Sequence, residues 1–204
     1  MSLPQLAIFH TTSIPEEMFF EFKKLVSNEQ LDFRIESREE DGPSAGIGWL
    51  LPTAVIVYIG KSYFDGFLKE MGKDHYALLK GGLKTLRSKL LGSEAPKVIS
   101  ISTKGKLSGD QSYSLLYSIM AEANGRLSFK LLLQREATEA DYEEIISAFL
   151  SFLQDYHSGS LDSVGLELLQ HARVSGRTLL LAFDLHSKSI KPIDPLPNED
   201  ANGA

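Results

Sequence analysis

The run Ala54 to Ile59 leaves this chain fewer options than any other stretch. It is continuously apolar, Val55, Ile56 and Val57 are β-branched, and it is too short for an ordinary helix, which predicts a strand covered on both faces. Gly60 ends it. Apolar side chains return at Phe64, Leu68, Met71, His75 or Tyr76, Leu79, Leu83, Leu86 and Leu90, in steps of three and four that share one helical face. Gly72 followed by Lys73 and Asp74 predicts a break or kink in so long a rod, with Asp74 capping a second helix.

Before this stretch, Leu6 to Phe9 reads as a first strand. Ser13 stands where an N-cap belongs, Pro15 falls in the first turn, Glu16 and Glu17 suit its dipole, and Met18, Phe19, Phe22, Leu25 and Val26 form a helical stripe. Phe33 and Ile35 alternate with Arg34 and Glu36 as a half-exposed second strand, followed by a charged, Gly-rich link from Ser37 to Gly48. A helix between two short strands predicts a right-handed βαβ unit with parallel strands.

After the central helix, Lys97 to Ser102 predicts another strand. Tyr113, Leu115, Tyr117, Ile119 and Ala121 then alternate with mostly polar neighbours, as do Leu127, Phe129, Leu131 and Leu133. Asn124-Gly125 between them predicts an antiparallel hairpin closed by a type I′ turn, whose central residues both need positive φ. Thr138 with Asp141 marks a capped helix whose buried stripe is Tyr142, Ile145, Ile146, Phe149, Leu153 and Tyr156, and Gly159 ends it. A shorter helix over Leu161 to Ala172 is expected to turn Val164, Leu168 and either His171 or Ala172 inward. Thr178 to Phe183 reads as a last apolar strand, with Leu185 to Ile193 returning as a weak partner.

The expected fold class is therefore α/β in a mixed α+β sense: a mixed sheet with an N-terminal βαβ portion, a central antiparallel hairpin and helices packed on the sheet. With 204 residues and 43% hydrophobic content, one domain over residues 1–195 is the simplest reading, and residues 92–96 are the place where a boundary would fall. The tail 196–204 has no apolar content to fold around and is expected to be disordered.

Composition narrows function mainly by exclusion. Zero cysteines removes disulfides, thiolate nucleophiles and thiolate metal sites, and fits a reducing compartment, hence a cytoplasmic expectation. The N-terminus lacks the basic head of a signal peptide, and Trp49 to Ile59 is about half the ~20 residues a spanning helix needs, so no membrane span is expected. The formal charge of −6 is uneven: residues 61–106 hold ten Lys or Arg against four Asp or Glu. That basic middle suits an anionic ligand or acidic partner, or else is the solvated side of a helix with its lysines paired to acids elsewhere. A pI near 5.4 and the lack of a recognised motif argue against nucleic acid.

Of the motifs, Gly42-Pro43-Ser44-Ala45-Gly46 matches the G-x-S-x-G letters without the strand before and helix after that a nucleophile elbow needs. Gly60-Lys61-Ser62 lies between strand and helix, where a phosphate-binding loop would end, but Val55 occupies the place of its first glycine. A helix N-terminus beside a lysine still makes Gly60, Lys61 and Ser62 the candidate anion-binding residues. The polar loop Lys104 to Asp110 is a weaker place for a phosphate. The histidines at 10, 75, 157, 171 and 186 lack metal-ligand spacing, so neither a metal nor another cofactor is expected. Paired Gly81 and Gly82 predict a close approach of another element.

The segment VIVYIGKSYFDGFLKEM, residues 55–71, resembles the third strand and following helix of TIR domains, where a tyrosine shortly precedes an acidic residue on the helix. That resemblance implies cleavage of NAD by a helical glutamate, for which Glu70 is the nearest candidate. With no other catalytic constellation, the first expectation is a non-catalytic binding or protein-interaction module, an accessory, sensor or immunity-type protein, whose partner is a protein or a small anion. The alternative is a nucleotide-binding or NAD-cleaving enzyme built on the TIR-like element.

Overall fold

A computed structural model describes residues 3–39, 53–92, 95 and 112–194, the side chains of 67–73 excepted. The expected strand at Lys97 to Ser102, the Gly42–Gly46 motif, the Lys104–Asp110 loop and the tail 196–204 lie outside the described residues. The strands are β1 (Leu6–Thr11), β2 (Phe33–Arg38), β3 (Val55–Ile59), β4 (Tyr113–Asn124), β5 (Leu127–Gln134), β6 (Val174–Ser175), β7 (Thr178–Asp184) and β8 (Ser189–Pro192). The helices are α1 (Phe20–Val26), α2 (Leu68–Leu91), α3 (Glu139–Ser158) and α4 (Ser163–His171). All eight strands join one sheet in the order β2-β1-β3-β4-β5-β7-β6, with β8 also on β7.

The mixed character is real. β1–β2, β3–β4 and β5–β7 are parallel pairs, each spanned by helix, whereas β1–β3, β4–β5 and β7–β8 are antiparallel. The expected βαβ unit and central hairpin are both present, and β3 is fully buried inside the sheet. Val55, Val57 and Ile59 of β3 enter the main core with Tyr117, Ile119 and Ala121 of β4 and Phe129, Leu131 and Leu133 of β5. Phe22 and Val26 of α1, Leu79, Leu83 and Leu86 of α2, and Phe149 and Leu153 of α3 cover that one face. On the opposite face Ala7, Ile56, Tyr58, Ser118, Lys130, Leu132, Leu180 and Ala182 are buried too.

Four local expectations change. Ser13 does not cap the first helix: its hydroxyl bonds Thr11 at 2.9 Å, and the helix opens as a 3-10 turn, Glu16–Phe19, after Pro15, whose fixed φ suits that entry. Gly72 does not interrupt α2. The irregularity lies earlier, in a π turn at Tyr63–Phe67, where the extra residue per turn lets both Tyr63 and Phe64 point inward ahead of the Leu79–Leu90 stripe. Val164 of α4 is 65% exposed, while Leu168 and Ala172 pack against the core as expected.

The hairpin turn is the fourth. Its central residues are Gly125 and Arg126, and neither has positive φ. Asn124 works through its side chain instead, its Oδ1 accepting from the amides of Arg126 and Leu127 at 2.9 and 3.1 Å, an Asx turn. Positive φ at two successive turn residues occurs at Gly176 and Arg177, between β6 and β7. The cap on α3 is as the sequence predicts. Thr138 Oγ1 accepts from Asp141 N–H at 3.2 Å, Asp141 accepts from Thr138 N–H at 3.0 Å, and Gly159 closes the helix at φ 72°.

The adjacent glycines of α2 do different work. A methyl group on Gly82 would stand 3.0 Å from Phe22 and 3.2 Å from Val26, so the absent side chain is what lets α1 lie against α2. One on Gly81 would meet nothing within 4 Å. Gly81→Ala is therefore expected to stabilise the protein by about 0.5–1 kcal/mol through helix propensity, and Gly82→Leu to destabilise it by about 2 kcal/mol or more through overpacking. Urea midpoints moving in opposite directions would check the pair.

Candidate functional site

The strand-to-helix corner at Gly60-Lys61-Ser62 lies beyond the carboxyl ends of the parallel strands β3 and β4, the side of an open sheet where ligands commonly sit. Gly60 is there for a steric reason. Its amide donates to the Gln5 carbonyl at 2.9 Å, and a Cβ would lie 2.5 Å from the carbonyl oxygen of Pro4, so the chain entering β1 runs against a residue without a side chain. No wide loop precedes the glycine, since β3 runs directly into it.

The helix start is already occupied by a carboxylate of the chain itself. Glu122, near the end of β4, accepts from the Lys61 amide at 3.0 Å and from the Tyr58 hydroxyl at 3.3 Å. A negative charge at a helix N-terminus satisfies both the free amide and the dipole, which is what an external anion would otherwise do. Lys61 turns its ammonium to Asp65 one turn along. Ser62 is exposed. Burial, with Glu122 adding its charge and its hydrogen bond, pushes the Tyr58 phenol well above its usual range and keeps it a donor. The corner thus brings Gly60, Lys61 and Ser62 together around an internal anion. Glu70 lies on α2, with its side chain outside the described residues.

His157, at the end of α3, closes the same corner. Its ring stacks on Phe64 at 4.7 Å between centroids, and its Nε2 is buried without a hydrogen-bond partner. Burial, then the charge of Lys61, hold its pKa below the usual imidazole value, with Glu122 opposing. The folded protein therefore favours neutral His157, a contribution that is complete above the unfolded pKa near 6.5 and is lost as pH falls through the lower folded value. His157→Phe is expected to flatten the decline in stability between pH 7 and 5 relative to wild type in matched denaturant titrations.

The other histidines are structural or exposed. His75 is 3% exposed and bonded at both ring nitrogens, donating from Nε2 to the Val26 carbonyl at 2.7 Å and facing the Tyr63 hydroxyl from Nδ1 at 3.0 Å. With Nε2–H used on a carbonyl, Nδ1 of a neutral ring accepts from Tyr63, which ties α1, the π turn and α2 together. His10 is buried against Phe19, and His171 and His186 are exposed. Among the described residues no group of His, Asp and Glu is placed to hold a metal ion.

The basic stretch is largely neutralised where it is described. Lys61 pairs with Asp65, Lys84 with Glu143 and Glu139, and Lys89 with Glu21, while Arg87 bonds the Ala137 carbonyl and lies over the Tyr142 ring. Lys80 makes no ion pair with a described residue. It borders a groove of about 250 Å³ between α2 and α3, whose walls are Ala77, Gly81, Lys84, Tyr142, Glu143 and Ile146. Gly81 is why the groove is open, since its missing side chain would project into free space. The paired glycines signalled a close approach in the sequence, and the structure assigns that role to Gly82 alone.

No protein-family model, curated protein or solved structure matches this chain. The TIR-like resemblance is confined to one strand and one helix: β1 runs antiparallel to β3, whereas a flavodoxin-like sheet keeps these strands parallel. Among the described residues no helix is long and apolar enough to cross a membrane.

Proposed function

We propose that the protein is a non-catalytic interaction module, cytoplasmic as its lack of cysteine suggests, which takes a segment of a partner protein into the groove between α2 and α3. The observation that carries this reading is Gly81. A glycine in the middle of a helix costs about 0.5–1 kcal/mol against alanine, and no neighbour requires it here. What it supplies is an apolar floor, Ala77, Tyr142 and Ile146, beneath a rim carrying Lys80. The fitting occupant is a segment that places one aliphatic side chain in the groove and an adjacent carboxylate on Lys80, apolar anchoring with charge at the edge.

A displayed peptide library of acidic-aliphatic sequences tests this directly. Binders should perturb the amide resonances of Ala77, Lys80, Gly81, Tyr142 and Ile146, and Gly81→Leu should weaken them at least tenfold while leaving the protein folded. Binders insensitive to that variant would remove the reading. The enzymatic alternative rests on the TIR-like segment: NAD consumption abolished by Glu70→Gln would establish it, and an inert wild type would dismiss it.

A further inference from the structure

A second place on the molecule, independent of the groove, gathers charge where the fold alone has no use for it. Arg38 ends β2 in alternation with Phe33 and Ile35, which pack into the core, so its side chain lies on the face opposite the helices. It reaches past β1 and donates from Nη2 to the Thr53 carbonyl at 2.5 Å. Thr53 and Ser118, 1% and 0% exposed, share a hydrogen bond between their hydroxyls at 2.5 Å. Lys130, only 4% exposed, sits on β5 diagonally from Ser118, since Ser118 pairs with Leu132 and Met120 with Lys130. Burial first, and then the charge of Arg38, push the Lys130 ammonium down to about 8. The Nε of Arg38 is buried with no hydrogen-bond partner.

Two cations brought together out of water raise each other's cost, and apolar residues at both positions would be cheaper for the fold. An anion between them reverses the sign of both effects. In a bonded hydroxyl pair one O–H is consumed by the partner, and the accepting oxygen keeps its own O–H, a further donor beside the charges. We propose that the helix-free face of the sheet holds a small dianionic oxyanion, of the phosphate or sulfate type, between Arg38 and Lys130, with Thr53 and Ser118 supplying a hydroxyl donor. The ion is free in solution or is the phosphoryl group of a monoester, since the shared chemistry is the doubly charged tetrahedral group.

Unfolding measured at constant ionic strength in inorganic phosphate, methyl phosphate or chloride decides the matter. The expected result is saturable stabilisation, with the folded-to-unfolded ratio rising about a hundredfold at a concentration a hundred times the dissociation constant. Tighter binding of methyl phosphate than of inorganic phosphate would assign the site to a monoester, and the reverse order to the free ion. Lys130→Met, which removes the buried charge and keeps the side-chain length, should fold and lose the saturable response. Arg38→Lys, which keeps the charge and deletes the Nε donor, should weaken it at least tenfold. An equal response in wild type and Lys130→Met would mark general exclusion of phosphate from protein surfaces and overturn the proposal. So would no response at all.

Discussion

Lys130→Met is expected to raise the unfolding free energy at pH 7 by about 3 kcal/mol, the value of moving a lysine from 10.5 down to about 8 on folding. The penalised form is the charged one. Its cost is therefore fully present below about pH 8 and fades as pH rises through 10.5, where the unfolded chain also gives up the proton. Wild type should accordingly gain stability between pH 8 and 9.5 relative to the variant, and the two denaturation curves should converge. Burial raises the phenols of Tyr58, Tyr63, Tyr117 and Tyr142, so above pH 10 unfolding is favoured by tyrosine ionisation in both proteins, and the comparison belongs below that limit. Equal stability of the two proteins at pH 7 would show that Lys130 is not held in a poorly solvated place.

Gly60→Ala should be the most damaging small substitution in the chain. Its new methyl group would stand 2.5 Å from the Pro4 carbonyl oxygen, a backbone atom that cannot rotate away as a side chain would. Relief requires the segment before Leu6 to move, which breaks the Gly60–Gln5 hydrogen bond and disturbs the Leu6–Ile59 end of the β1–β3 ladder. A loss of about 3 kcal/mol is expected, read as a lower denaturant midpoint. A glycine kept only to cradle a phosphate would tolerate alanine with little change in stability, so the same variant separates the steric role from the ligand-binding one.

What could be read ahead of the coordinates was what is encoded locally. The apolar block ending at Ile59, the Thr138–Asp141 cap, the stripe from Tyr142 to Leu153 and the hairpin about Gly125 each rest on neighbours a few residues apart. The direction of β3 against β1 is a matter of long-range pairing, and no short pattern specifies it. Glu122 could not be recognised as the group that fills the start of the central helix, because it lies 61 residues from Lys61. Lys130 was concealed by a regular alternation: with Phe129, Leu131 and Leu133 pointing to the core, its own side of β5 read as solvent. Leu132 beside it, and Leu180 and Ala182 on β7, were the available signs that this face is buried as well.

The order of the strands bears on how the protein is made. β2 and β3 flank β1 on its two sides, and thereafter β4, β5 and β7 each attach to a strand already synthesised, so a nascent chain leaving the ribosome extends the sheet in one direction. Until Thr178 emerges, the outer rim of β5 has no partner, and release of the polypeptide between Gln134 and that point would expose a row of open amides and carbonyls. Premature termination in that interval should yield chains that adhere to one another, whereas termination after Pro192 should not.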